Sequence, residues 1–399
     1  MKIPNGWKKV QFGDVVSKIN DKVSNREEWN FERYIGGEHF DEGEIRLTRS
    51  APIEGNEEVI GSAFHMRFKP GQVLYVTRNP RLRKGGMVDF EGVCSNVSFV
   101  MEADETKLLQ SLLPFVIQTE DFVKHTCNNA HGSTNPFLNW KDIAKYEFLL
   151  PPIEEQKKIN ELLWGIEENI KVQLQHQKYI EKLKKITMKD IFISGLKGSI
   201  MSNSKFEDIC LESPRNGIYK SKEYHGKGIK MINMGEIFKY PIIENPPMEL
   251  LQLDQSEMER FLVEDGDLVF ARRSLVVAGA GKCCIIKGKE PRTFESSIIR
   301  VRLDKKKVDP KYLFYYFNSV IGRKKIERIV RHVAVAGITG TDLMKINIDL
   351  PSLEHQKKII AKLELIDVEL NILSQNYIIT KKLRNKLFNE LLKGELRLD

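Results

Sequence analysis

The sequence predicts an α+β protein with an internal pseudo-twofold duplication: two domains of mixed, largely antiparallel strands with short helices, separated by two long helices that form an antiparallel coiled coil. Three observations predict this architecture. One motif occurs twice in the chain at nearly the same place in each half. A long stretch with apolar residues at three- and four-residue steps follows each copy. Short β-rich runs between glycines and prolines precede each copy.

The repeat is clearest where residues 150–159 (LPPIEEQKKI) return as residues 350–359 (LPSLEHQKKI), an offset of 200 residues (351 minus 151). Further matches at this offset are Asp142-Ile143 with Asp342-Leu343, Ile166 with Ile366, Ile170 with Leu370 and Leu183 with Leu383. Weaker matches at slightly smaller offsets are residues 71–78 (GQVLYVTR) with 266–273 (GDLVFARR), 34–40 (YIGGEHF) with 231–237 (MINMGEI), and 12–15 with 206–209. The chain is therefore a tandem duplication, with a well-preserved tail and a divergent body in each copy.

The tails are predicted to be long helices. Pro151 and Pro351 suit a helix entry, and Ser352 is a plausible N-cap. Gly195 and Gly394 fit the helix ends. The predicted apolar seam comprises Ile159, Leu163, Ile166, Ile170, Leu174, Ile180 and Leu183 in the first tail, and Ile359, Leu363, Ile366, Leu370, Leu373, Tyr377, Leu383, Leu387 and Leu391 in the second. The alternative is an ordinary core helix; the coiled coil is favoured because each helix is long and the other offers a matching partner.

The bodies contain short β-rich runs at residues 72–77, 97–101, 268–271 and 297–303, and helical stretches near 108–124 and 310–328. Their topology does not follow from the sequence. The resulting division is residues 1–150 for the first domain, 151–196 for the first long helix, 197–350 for the second domain and 351–399 for the second long helix.

Composition narrows the class of protein. Lysine and arginine number 63 against 55 acidic residues, the net charge is +8 and the pI is about 9.0, which favours a polyanionic partner. The N-terminus lacks an apolar signal-peptide core, and no apolar run approaches membrane-spanning length. The five cysteines lack CxxC spacing, which argues for a reducing cytoplasm and against a zinc site or a disulfide framework. No cofactor or metal is expected.

Two bodies at opposite ends of an antiparallel pair of helices would be related by a twofold axis, which matches the twofold symmetry of the backbone of duplex DNA. Helices of about 40 residues span roughly 60 Å, which corresponds to roughly 18 base pairs of duplex DNA at about 3.4 Å each. Such a chain would read two half-sites at a set spacing. Because the bodies diverge while the tails match, the expected target is asymmetric and has two parts.

The whole chain resembles the specificity subunit of type I restriction–modification systems, most clearly in the doubled segments 150–159 and 350–359, each preceded by Asp-Ile or Asp-Leu and followed by a long helix. Residues 34–40, 71–78 and 266–273 also look like the recognition domains of that family. The resemblance implies two target-recognition domains that bind double-stranded DNA, and helical regions that dock methyltransferase (modification) subunits. It further implies restriction/translocase subunits joined through the complex, with adenine methylation and cleavage performed by those partners rather than by this chain.

The strongest candidates for DNA contact lie in a loop that leaves a predicted strand at residues 77–86. It carries Arg78, Arg81, Arg83 and Lys84, and its counterpart in the second body carries Arg272, Arg273 and Lys282. Arginine can grip guanine bidentately or hold a phosphate. The alternative is a solvated basic loop.

A second pair of loops covers residues 131–135 and 336–341, from which Ser133, Asn135 and Thr339 are predicted to reach phosphates or base edges. An ordinary turn is an equally good interpretation. His39 is interpreted as a structural residue, with contact to DNA as the alternative.

The sequence supports a catalytic function less well than it supports DNA binding. Asn245-Pro246-Pro247-Met248 is similar to an amino-methyltransferase motif but has methionine where an aromatic ring must stack on the flipped base. Residues 279–283 lack the glycine and the serine or threonine of a phosphate-binding loop. Two further alternatives stay open: an autonomous DNA- or protein-binding scaffold, and an enzyme that acts alone.

Overall fold

The computed structural model describes residues 3–194, 202–332 and 335–398. The expected helix end at Gly195 and the boundary between residues 196 and 197 lie outside these residues. The chain divides into two compact units. Unit 1 comprises Met1–Gln175 and Ser374–Asp399, and unit 2 comprises His176–Leu373. Each unit therefore combines one α+β body with part of each long helix.

The body of unit 1 contains short strands and three short α-helices in its described part. The strands are β1 (Lys8–Gln11), β2 (Val16–Ile19), β3 (Arg33–Ile35), β4 (Arg46–Leu47), β5 (Ala51–Pro52), β6 (Phe64–Phe68), β7 (Val73–Val76), β8 (Gly85–Val88), β9 (Gly92–Ser95), β10 (Ser98–Ala103) and β11 (Glu147–Leu150). The helices are α1 (Leu113–Val116), α2 (Glu120–Asn128) and α3 (Trp140–Ala144), and the first long helix is α4 (Ile153–Ser194).

The body of unit 2 follows the same plan. Its strands are β12 (Ser202–Lys205), β13 (Arg215–Asn216), β14 (His225–Ile232), β15 (Ile242–Ile243), β16 (Glu249–Leu251), β17 (Leu268–Ala271), β18 (Arg273–Ser274), β19 (Cys283–Ile286), β20 (Arg292–Phe294), β21 (Ile298–Val301), β22 (Arg331–His332), β23 (Ala336–Gly337) and β24 (Asn347–Leu350). Its helices are α5 (Met234–Lys239), α6 (Gln255–Phe261), α7 (Pro310–Asn318), α8 (Val320–Glu327) and α9 (Gly340–Met344), and the second long helix is α10 (Leu353–Leu392).

The sheets confirm the duplication. Among the described residues, the main sheet of unit 1 has the order β2-β10-β7-β8-β4 and that of unit 2 the order β13-β21-β17-β19-β15. In each, only the last pair (β4 with β8, β15 with β19) is parallel. The second sheets are β5-β3-β9-β6 and β16-β14-β20, and the tails are tied by the pairs β1-β11 and β12-β24. Mixed and largely antiparallel sheets are thus found as predicted.

The glutamine of the motif shared by the two tails has the same structural role in each unit. The buried side chain of Gln156 accepts a hydrogen bond from the Leu109 amide at 2.9 Å and donates to the Pro151 carbonyl at 2.9 Å. Gln356 does the same with the Asp309 amide at 2.8 Å and the Pro351 carbonyl at 2.9 Å. Because buried backbone groups need partners, the glutamine fixes the start of each long helix against the body.

The two long helices run antiparallel. In unit 1, Glu167 and Gln173 of α4 contact Arg384 and Thr380 of α10 respectively, so residue numbers rise along one helix as they fall along the other. In unit 2, Lys184 of α4 pairs with Asp367 of α10.

The predicted apolar seam is buried or half-buried at most positions, including Ile170, Leu373 and Leu391 further along the helices. Ile159, Leu163, Ile359 and Leu363 are buried in the cores of their units. The seam prediction is wrong for Leu174, Leu183 and Leu383, which are exposed. The positions after the last two, Lys184 and Arg384, contact the partner helix instead, because each meets a carboxylate there.

Candidate functional site

The two predicted loops of unit 1 form a single surface. The amide of Asn79 donates to the Pro136 carbonyl at 2.8 Å, and its side-chain amide donates to Asn135 Oδ1 at 2.8 Å. The chain turns sharply between them because Asn79 and Arg83 both adopt positive φ angles, 49° and 48°. The loops at residues 77–86 and 131–135, which are separate candidates in the sequence, are therefore adjacent in the structure.

Arg78 is the most prominent cation of this surface. Its side chain is exposed, lies over the Phe137 ring at 5.3 Å and is 3.5 Å from the Asn135 carbonyl oxygen. Arg81 and Ser133 are also exposed, and within the described part of the chain neither has a polar partner. These three side chains are accessible to a ligand.

The other two predicted cations of this loop are engaged within the protein. Arg83 forms a bidentate pair with Glu120, at 2.7 and 2.5 Å. This pairing raises the pKa of Arg83 and lowers the pKa of Glu120. Lys84 Nζ donates to the Gly37 carbonyl at 2.6 Å. Both side chains hold the loop in place.

Unit 2 builds the corresponding surface from strands. Within residues 202–332 and 335–398, β18, β23 and β22 form a small sheet in which Arg273 pairs with Gly337. The backbone confirms the equivalence: Leu138 N donates to Thr77 O at 3.1 Å in unit 1, and Ile338 N donates to Arg272 O at 3.0 Å in unit 2. Arg273 is exposed and stands where Arg78 stands in unit 1.

The remaining predicted residues of unit 2 have internal partners. Arg272 is half-buried and donates to the Ser296 carbonyl at 3.2 Å. Lys282 Nζ donates to the Phe238 carbonyl at 2.6 Å and lies over that ring. Thr339 caps α9, since its hydroxyl accepts from the Asp342 amide at 3.1 Å and donates to the Asp342 carboxylate at 2.9 Å.

Sequence reasoning missed a basic residue in each unit. His131 contacts Asp142 at 2.9 Å, and Arg331 contacts Asp342. The Thr339 hydroxyl and then the Arg331 guanidinium hold the pKa of Asp342 below its usual value. Burial raises the pKa of Asp142, but hydrogen bonds from Asn139 and His131 outweigh it. The repeat could have revealed both pairs, because His131 and Asp142 lie 200 positions before Arg331 and Asp342.

Other residues considered in the sequence have structural roles. The His39 ring accepts from the Gly36 amide at 2.9 Å, as expected for a structural histidine. Asn245 is hydrogen-bonded to Lys230 and, at 3.2 Å, to Glu290. Among the residues that the structure describes, no group of three or more side chains is arranged to hold a metal ion. No helix in the described ranges has the length and apolarity needed to cross a membrane.

Comparison with known proteins finds relatives along the full length of the chain. Residues 200–380 match the family model of the type I restriction modification DNA specificity domain. The type I restriction enzyme MjaVIII specificity subunit of Methanocaldococcus jannaschii is 24% identical over 433 residues, covering 100% of this chain and 94% of that protein. The putative MjaX specificity subunit of the same organism is 22% identical, covering 99% and 95%.

Solved structures share the fold. A chain from a study of complex assembly and conformational transition of the type I R-M system aligns with a TM-score of 0.63 and 17% identity, covering 99% of this chain and 100% of its own length. The type I restriction-modification system S subunit from M. genitalium aligns with a TM-score of 0.56 and 13% identity, covering 98% of each chain.

The chain is thus similar along its full length to proteins named as type I restriction enzyme specificity subunits, and residues 200–380 match the DNA specificity domain model.

Proposed function

We propose that this chain binds double-stranded DNA, reads a two-part gapped target with its two units, and directs adenine methylation and restriction by partner subunits. One observation carries the proposal: each unit presents an exposed arginine, Arg78 or Arg273, at the same place in the same loop framework. Arginine pairs bidentately with guanine and binds phosphate, so it suits both base reading and backbone contact.

The two units are expected to read different sequences. Their main sheets match strand for strand, but the surfaces differ in residue type and in local structure. Unit 1 presents Arg78, Arg81 and Ser133 from irregular loops, whereas unit 2 presents Arg273 from a small sheet. A conserved framework with different contact residues gives two half-sites of different sequence.

The long helices are proposed to bind the methyltransferase subunits. Each unit exposes three apolar helix side chains at positions that the repeat makes equivalent: Val172, Ile379 and Leu383 in unit 1, and Ile372, Tyr179 and Leu183 in unit 2. Exposed apolar side chains that recur at fixed positions favour a protein interface over chance. The restriction/translocase subunits would join through that complex.

We further propose that the chain itself is non-catalytic, so that the reaction chemistry belongs to its partners, and that it acts in the cytoplasm. All five cysteines are free, which suits a reducing compartment.

Methylation sequencing tests the proposal. Genomic DNA from cells that carry this chain with its neighbouring methyltransferase is compared with DNA from cells that lack only this chain. We expect methyladenine at one gapped, two-part motif to be lost. An identical methylation pattern would overturn the proposal and favour a scaffold uncoupled from methylation.

A second measurement separates a specificity subunit from an enzyme that acts alone. The isolated chain is incubated with S-adenosylmethionine and DNA that contains the motif. We expect no methyl transfer until the methyltransferase subunit is added. Transfer by the isolated chain would contradict the non-catalytic assignment.

A further inference from the structure

An apolar tip lies beside the exposed arginine of unit 2. Between β18 and β19, Leu275 exposes 90% of its surface, Val276 61% and Val277 40%. Isolated apolar residues at a surface are common, but runs of three exposed in sequence are unfavourable unless they serve a function. The three residues directly follow Arg273-Ser274 in the chain.

Internal hydrogen bonds hold this tip in one conformation. Arg323 donates to the carbonyls of Ala278 at 3.0 Å and Ala280 at 3.1 Å, which fixes the C-terminal side of the loop. The Ser274 hydroxyl accepts from the Val276 amide at 3.2 Å on the other side. A Cβ at Gly279 would lie 2.2 Å from Ser274 Oγ, so a larger residue there would displace the Ser274 side chain. A fixed loop loses little conformational entropy on binding.

Cations surround the tip. Arg273 is exposed immediately before it, and Arg331 lies in β22, which pairs with the same strand as β18. Lys282 lies over the Phe238 ring, which is 43% exposed. This ring lies beside the tip, because a Cβ built on Gly279 would be 3.2 Å from it. An apolar tip with a cationic rim matches a ligand that combines phosphates with accessible apolar groups. Duplex DNA is such a ligand, because thymine presents its methyl group in the major groove.

Unit 1 differs at the corresponding turn. There the loop between β7 and β8 carries Arg81, which is exposed, and Leu82, which is 37% exposed. The turn of unit 1 thus offers a hydrogen-bond donor where the turn of unit 2 offers an apolar surface. The two units therefore differ in the kind of base edge that this turn can contact.

We propose that Leu275 and Val276 form a specificity-determining contact with the 5-methyl group of a thymine in the half-site read by unit 2. This inference rests on the proposed function, since it requires unit 2 to bind DNA. It adds that this half-site contains a thymine recognised through its methyl group.

Deoxyuridine substitution tests the contact, because it removes only the methyl group. The complex of this chain with its methyltransferase subunit is titrated with duplexes of the motif found by methylation sequencing, in which each thymine is replaced singly. We expect one substitution, confined to one half-site, to weaken binding by about fourfold, as the loss of one buried methyl group implies. Leu275→Ala combined with Val276→Ala should bind thymine and deoxyuridine duplexes equally at that position.

Leu211→Ala is the matched control. Leu211 is 66% exposed in the same unit, and its amide donates to the carbonyl of Arg302, which follows the last residue of β21. Val301 of β21 pairs with Leu268 at the start of β17, whereas the tip follows the end of β17, so Leu211 lies at the opposite end of the strands. This variant should keep the wild-type response to deoxyuridine.

Three results would overturn the inference while leaving the proposed function intact: a motif in which no thymine responds, a double variant that responds like wild type, or a double variant that fails to assemble with the methyltransferase subunit without DNA. The last would identify the tip as a protein contact. Failure of the proposed function looks different, because no motif would depend on this chain and the wild-type complex would bind no duplex selectively.

Discussion

The carboxylate of Glu167 and the guanidinium of Arg384 form a buried ion pair between the two long helices, with 2.5 Å between Oε1 and Nη1 and side-chain exposures of 8% and 3%. The repeat reproduces the pair in unit 2 as Asp367 with Lys184, both of which are partly exposed. A pair kept at equivalent positions fixes the register of the antiparallel helices, because a shifted register would leave a charge buried without a partner.

Removing one member of the buried pair should therefore destabilise the protein. We expect Glu167→Ala to lower the free energy of unfolding of unit 1 by about 3–5 kcal/mol, since Arg384 would keep an uncompensated buried charge. Urea denaturation followed by circular dichroism measures the change. Glu154→Ala, which removes the exposed partner of Lys157 on the same helix, should cost less than about 1 kcal/mol. Equal effects of the two variants would contradict the prediction.

The buried glutamine at the start of each long helix gives a second prediction. Gln356→Leu leaves the Asp309 amide and the Pro351 carbonyl without this partner. We expect a loss of about 1–3 kcal/mol for each buried group that stays unpaired. Thermal denaturation checks this, with Lys357→Ala at the exposed next position as the control. An unchanged melting temperature for Gln356→Leu would show that the glutamine is dispensable.

The exposed arginines should contribute electrostatically to DNA binding. Arg78→Ala or Arg273→Ala is expected to weaken binding by the assembled complex and to reduce the slope of log affinity against log salt concentration by about 1, as the loss of one phosphate contact does. Lys306→Ala removes an exposed charge from the turn after β21 and serves as the control. Unchanged affinity at both arginines across a salt series would refute their assignment.

Asp342 predicts a dependence of stability on pH. Because the Thr339 hydroxyl and the Arg331 guanidinium lower its pKa in the folded state, its stabilising contribution is complete above the unfolded value, near 3.9, and is lost as pH falls through the folded value. Asp342→Asn should therefore melt below wild type at neutral pH, and the difference should shrink below about pH 4. Glu259→Gln, on the exposed surface of α6, is the control. A difference that stays constant with pH would exclude this carboxylate as its source.

Pattern-based inference succeeded where the relevant contacts are local or repeated. The strand at residues 268–271 was predicted with its observed bounds, because a buried strand is an apolar run between turn residues. It failed for Leu183 and Leu383, because heptad spacing alone does not reveal that the following lysine and arginine meet carboxylates on the other helix.

The sequence by itself determined the duplication, the two long helices and the loops that carry the arginines, because repeats, helical periodicity and turn residues are properties of neighbouring positions. Only the tertiary structure decided which cations are free. Arg83 and Arg78 lie in one loop, yet Arg83 meets Glu120, 37 positions away, while Arg78 remains exposed. The direction of a side chain depends on packing between distant segments, so the local spacing of residues does not reveal which distant carboxylate or carbonyl it will meet.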